Sequence, residues 1–118
     1  HFREAENTEK ELDAFKNAFV HFQDSPGMLN SYAWRMTELE LNLKDALEKV
    51  KWAVELTADT PPTQANIIDT EAEALWKLKR YDEAIEAIDR AIKIDPDSDY
   101  FREQREKFLK SKEKGLAV

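Results

Sequence analysis

Residues 65–98 read ANIIDTEAEALWKLKRYDEAIEAIDRAIKIDPDS. Ile68, Ala72, Leu75 and Leu78 fall at offsets 0, 4, 7 and 10, one stripe of an amphipathic helix. A second stripe follows in Ala84, Ile85, Ile88, Ala91, Ile92 and Ile94. It stops before Pro96, whose ring disfavours helical backbone in the residue ahead of it. Both stripes have copies upstream. Leu29, Ala33, Met36 and Leu39 match the first set one for one, with the same offsets. Ala46, Leu47, Val50, Ala53, Val54 and Leu56 match the second in the same way, at nearly the same displacement. This register predicts two copies of one helical hairpin. The alanines mark where helix axes cross closely, because a gap of about 8 Å admits no bulk. A single hairpin cannot bury both of its apolar faces, whereas stacked hairpins can.

Outward from the hairpins, helix signals continue. Thr8-Glu9-Lys10-Glu11 has the form of a capping box and predicts a helix over 9–23, with Leu12, Phe15, Phe19 and Phe22 at helical spacing. Asp24 to Gly27 breaks that helix, and Ser25 as N-cap with Pro26 at the first position starts the next. Asn42 is read as the cap of a third helix that ends near Leu56. Thr57 to Thr63, with Pro61-Pro62, is read as a loop. A fourth helix is expected over 64–79 and a fifth over 82–94. Asp97 or Ser98 caps a sixth, which ends near Gly115. No segment alternates with period two. The expectation is a single all-α domain over 1–118, an α-solenoid of antiparallel helix hairpins with about six helices. It comprises an N-terminal helix or half repeat (9–23), one full unit (26–58), a second (65–98) and a capping helix (99–114).

The pattern resembles the tetratricopeptide repeat family, whose 34-residue unit runs W-x2-L-G-x2-Y, then A-x3-F, then P. Residues 65–98 align without a gap. Ile68 takes the Trp place, Ala72 the small-residue place and Leu75 the Tyr place, while Ala84, Ile88, Ala91 and Pro96 take the Ala, Phe, Ala and Pro places. Tyr81-Asp82-Glu83-Ala84-Ile85 is the string most like the family. Glu71 departs from it, standing at the Leu place. The first unit has a turn one residue longer and Ala58 in place of Pro. Its string Leu29 to Trp34 looks like a bacterial subgroup often fused behind other domains, thioredoxin-like ones among them. The resemblance implies a scaffold that binds a peptide or partner protein in a concave groove, from a bacterial cytoplasm or periplasm. It equally implies, as the alternative, a self-associating or structural support for a fused upstream domain. About three repeats are needed for a stable stack, so the end helices matter. Phe15, Phe19 and Phe22 are expected to pack on the first unit, and Phe101 and Phe108 on the second.

Composition narrows the classes. The chain has 118 residues, 42% hydrophobic and 36% charged, with two glycines and four prolines. It has no cysteine, which removes disulfides, thiol nucleophiles and cysteine-ligated metals. No apolar run of about 18 residues exists to span a membrane. His1 in place of Met leads to the expectation of a processed or excised piece with a larger protein upstream. The net charge of −7 opposes nucleic-acid binding. It is uneven: six Lys/Arg against three Glu from Arg102 onward give +3, leaving −10 on the first 101 residues. That basic end is read as a solvated helix terminus.

No cofactor, metal or catalytic residue is expected. His21 is the only histidine besides His1 and has no partner histidine in sequence. Asp69 and Glu73 at i, i+4 are read as a solvated face rather than an acid–base couple, and no glycine-rich phosphate loop occurs. The candidates for function are partner-binding residues, carried over by family position: Asn30, Trp34, Thr37 and Glu38 from the first unit, and Asn66, Asp69, Glu73, Trp76 and Lys77 from the second. Their acidity disfavours a carboxylate ligand and points to a basic or amide-rich peptide, with Trp34 and Trp76 as anchors. Trp52 is read as packing between the repeats. The chain is expected to be a monomer or a weak homodimer, with Phe108 at the dimer contact.

Overall fold

The computed structural model describes residues 2–21 and 25–117. Six helices follow one another: α1 (Phe2–His21), α2 (Pro26–Leu39), α3 (Leu43–Leu56), α4 (Pro61–Lys77), α5 (Tyr81–Ile94) and α6 (Asp99–Ala117). No strand occurs among the described residues. The pairs α2/α3 and α4/α5 are hairpins, and they stack through α3 on α4 and α2 on α4, with α6 against α5. The stack measures 40 × 38 × 20 Å. Its radius of gyration is 15.0 Å, above the roughly 13.5 Å of a compact domain of this length.

The repeated residues form the core. Leu29, Ala33 and Met36 are buried, as are Ile68, Ala72 and Leu75; so are Ala46, Val50 and Ala53 and their counterparts Ala84, Ile88 and Ala91. The duplication extends into the caps. Glu40 and Lys79, at matching places in the two units, both take left-handed backbone (φ 55° and 63°). Each closes its hairpin with the same two bonds, Leu41 N–H to the Met36 carbonyl and Arg80 N–H to that of Leu75, with Glu40 and Lys79 N–H donating to the carbonyls of Thr37 and Trp76. The longer first turn adds Asn42, also left-handed (φ 50°). Asn42 stands at the cap position of α3 but makes no capping bond; its amide lies 3.7 Å from Met36 Sδ.

Several boundaries differ from the sequence reading. α1 begins at Phe2, so Thr8 lies inside the helix rather than at its start. The run Arg3-Glu4-Ala5-Glu6 ahead of it consists of helix formers that carry the helix through. Phe22 lies outside the described residues. Pro61 and Pro62 open α4 rather than filling a loop. The first four N–H groups of a helix have no intrahelical acceptor, so two prolines there lose nothing. Ser25 caps α2 as expected, its Oγ accepting from Met28 N–H at 3.3 Å. Ser98, not Asp97, caps α6 by accepting from Phe101 N–H at 3.2 Å. α6 then runs through Gly115, beside the Tyr81 ring, to Ala117.

The two end helices are held differently. α1 lies on α2 through the Arg35–Glu11 fork (2.7 and 2.9 Å) and through Phe15 and Phe19, whose rings meet Tyr32 edge-on at 5.4 and 5.3 Å. α6 buries both Phe101 and Phe108. Three of its cations are tied back to the body. Arg105 pairs with Asp89, Lys112 with Asp82 and Lys107 with Glu73, so the basic end folds back on the acidic body. Trp52 does not lie between the repeats. It is 41% exposed and shares a cavity with Phe19, Val20 and Leu29 beside α1.

Candidate functional site

The middle of α4 is closely packed by its neighbours, and that decides the chemistry of the cavity beside it. Every residue from Ile67 to Leu75 is buried, four of them polar: Asp69, Thr70, Glu71 and Glu73. Buried charges must be partnered. Glu71 faces α5, where Arg90 Nη2 donates to it at 2.7 Å. This accounts for the acid at the family's Leu place: an ion pair inside the hairpin stands in for an apolar contact. Asp69 and Glu73 face α6. Gln104 Nε2 donates to both, at 3.0 and 2.9 Å. Lys107 donates to both oxygens of Glu73, at 3.1 Å to Oε2.

Burial, above all, pushes the Asp69 carboxyl above the ordinary aspartate range; the bond from Gln104 opposes this and the negative charge of Glu73 adds to it. The Tyr100 hydroxyl, close to Asp69, is pushed up to about 12 by burial and by that neighbouring charge. An acid whose pKa is raised on folding costs stability when ionised. The cost sets in as pH climbs from the unfolded value of about 3.9 through the folded one. Asp69→Asn keeps an acceptor for Gln104 and removes the charge. We expect its melting temperature at pH 7 to lie above wild type by on the order of 2–5 °C, the shift that about 1 kcal/mol gives in a domain of this size. The gap should close as pH falls toward 4. A gap that persists at low pH, or a lower value at pH 7, would rule out this electrostatic account.

Among the residues proposed from sequence, Trp34, Glu38, Glu73, Trp76 and Lys77, with Thr37, line a single cavity of about 420 Å³ between α2, α4 and α6. Asp69 lies buried beside it, bonded to Gln104. Asn30 and Asn66 are not among the lining residues. Asn30 is half-buried with an unpartnered Oδ1, and Asn66 is exposed. Trp34 is 37% exposed. Trp76 is half-buried and fastened: its indole N–H donates to Ser111 Oγ at 2.8 Å and its ring lies 6.1 Å from that of Phe108. The Lys107 ammonium sits 4.1 Å from the Trp76 ring centroid, a cation–π contact, with Lys77 at 5.1 Å.

Sequence reasoning misses the third wall. Tyr100, Gln104 and Lys107 of α6 complete the cavity. Their spacing carries the signal: 100, 104 and 107 repeat the offsets 0, 4 and 7 of Asp69, Glu73 and Trp76, and of Asn30, Trp34 and Thr37. α6 thus stands where the first helix of a third hairpin would stand. Among the described residues no group of three or more potential metal ligands occurs, and no helix is long and apolar enough to cross a membrane.

No curated protein and no solved structure matches the chain. Residues 65–98 match the family model of the tetratricopeptide repeat. This is the stretch that forms most of α4, all of α5 and the turn into α6, and its pattern is repeated in α2 and α3. Residues 65–98 are therefore similar to one tetratricopeptide repeat, set within an all-α stack of helical hairpins.

Proposed function

We propose that the chain is a protein-binding module that takes a basic peptide segment in the groove between α2, α4 and α6, with Trp34 as its apolar anchor. The observation that carries this reading is a cavity lined by two tryptophans and set with carboxylates. Glu38 and Glu73 line it and Asp69 lies beside it, against the ammonium groups of Lys77 and Lys107. The lining side chains balance, two carboxylates against two ammonium groups, and the excess negative charge comes from the buried Asp69 beside them, within a chain of net charge −7. Such a surface attracts cationic segments and speeds their encounter. Trp34 is exposed while its neighbours Ala33 and Met36 are buried, and large aromatics at the centre of a groove carry much of the energy of binding. Trp76 serves the fold as well as the groove, so its substitution would confuse binding with stability. Self-association has less in its favour: Phe108, the residue expected at that contact, is wholly interior.

The test is titration of tryptophan fluorescence at low salt with a peptide rich in lysine and its glutamate-substituted counterpart. The lysine peptide is expected to bind at micromolar concentration and the glutamate peptide not to bind. Trp34→Ala should weaken binding at least about tenfold, the equivalent of about 1.4 kcal/mol, with the melting temperature within a few degrees of wild type. Equal binding of both peptides, or no loss in Trp34→Ala, would refute the groove.

A further inference from the structure

The groove already holds a cation. Lys107 comes from α6, yet its ammonium lies where a ligand's charge would lie, on both oxygens of Glu73 and over the face of Trp76. The Glu73 side chain is 10% exposed and that of Lys107 37%. The acid is fixed in the floor and the lysine reaches it from the rim. The seating of α6 rests on other residues. Phe101 and Phe108 bury its apolar face, Gln104 ties it to Asp69 and Glu73, and Ser111 holds the Trp76 indole. The lysine stem can swing outward with the helix in place.

We propose that Lys107 is a built-in competitor for a cation site made by Glu73 and the Trp76 face, and that a partner enters the groove by delivering a lysine side chain that displaces it. The proposal rests on the groove reading above and names the chemistry of its ligand. An alkylammonium is the cation already seated there, on both Glu73 oxygens and over the Trp76 ring. A tethered competitor acts at a local concentration in the millimolar range. It weakens every cationic ligand and admits those with further contacts, such as an apolar group for Trp34. The tether also explains how a buried acid next to Asp69 stays partnered while the groove is empty.

The experiment uses n-butylammonium chloride, a lysine side chain without a peptide. Its addition is followed by the indole N–H resonance of Trp76 at ionic strength held constant with sodium chloride. In the wild type the site is filled, and a shift is expected only at concentrations at least ten times those needed in Lys107→Met, which keeps the stem and removes the charge. Lys107→Arg should stay closed like the wild type, and Lys107→Met combined with Glu73→Gln should lose the response. Should Lys107→Met fail to fold, Lys107→Gln, which can still donate to Glu73, takes its place. A folded variant that responds no earlier than the wild type overturns the competitor. If the wild type binds lysine peptides but the variant shows no gain for butylammonium, the groove reading stands and this inference falls. If the variant gains butylammonium while no peptide binds, the cation site stands and the peptide groove falls.

Discussion

Phe108→Ala is expected to lower the stability of the chain by about 3–5 kcal/mol, the range for emptying a buried phenylalanine site. Phe108 is 0% exposed and packs against Trp76, tying α6 to α4 across the whole of the intervening α5. Total stabilities of small domains are about 5–15 kcal/mol, so the variant should be at the edge of folding. Denaturant unfolding should show a midpoint displaced far below wild type, and the near-ultraviolet circular dichroism of Trp76 should weaken. Phe108→Asp, which buries an unpartnered carboxylate instead, should not fold at all. A loss under about 1 kcal/mol in the alanine variant would show that α6 is not integral to the stack.

The second large effect concerns the ion pair within the α4/α5 hairpin. The Glu71 side chain is 6% exposed and that of Arg90 46%, so the acid carries the burial and the base reaches in from solvent. Arg90→Met should cost about 1–3 kcal/mol, because it leaves a buried carboxylate without its charged donor; solvent at the arginine end keeps the figure toward the lower bound. Glu71→Leu, which restores the residue type that the repeat has at this place, should be neutral or stabilising, and the double variant should regain what Arg90→Met loses. Chemical denaturation of the four proteins measures the coupling. A double variant as unstable as Arg90→Met, or an Arg90→Met variant indistinguishable in stability from wild type, would contradict this account.

These two cases also mark where the sequence could be read and where it could not. Alanine and branched apolar residues in register disclosed both hairpins, since helical period and close crossing leave a direct trace in residue type. The polar residues of α4 left no such trace. Asp69, Glu71 and Glu73 look like a solvated face because amphipathic patterning assigns charge to water. They are buried because α5 and α6 supply Arg90, Gln104 and Lys107 from far along the chain. Only the third register of Tyr100, Gln104 and Lys107 hinted at it. The basic charge of α6 was visible, but a run of lysines and arginines reads the same whether water or an acidic neighbour receives it. Trp34, named from its family position, is partly exposed and lines the cavity. Trp76 has its family position too, but its indole bond to Ser111 and its tilted ring contact with Phe108 needed the fold to become visible.

The unequal fastening of the two end helices gives the stack a direction. α1 rests on its neighbour by a surface fork and half-buried rings, whereas α4 touches α2, α3 and α5 along its length and is bonded to α6. Local opening can therefore begin at the α1 edge and leave the rest intact, while no excursion can free α4 without dissolving everything around it. The slowest amide protons to exchange with solvent should be those of Ile67 to Leu75, in the very segment whose acids floor the groove. A ligand lodged there would be reading the last part of the molecule to let go.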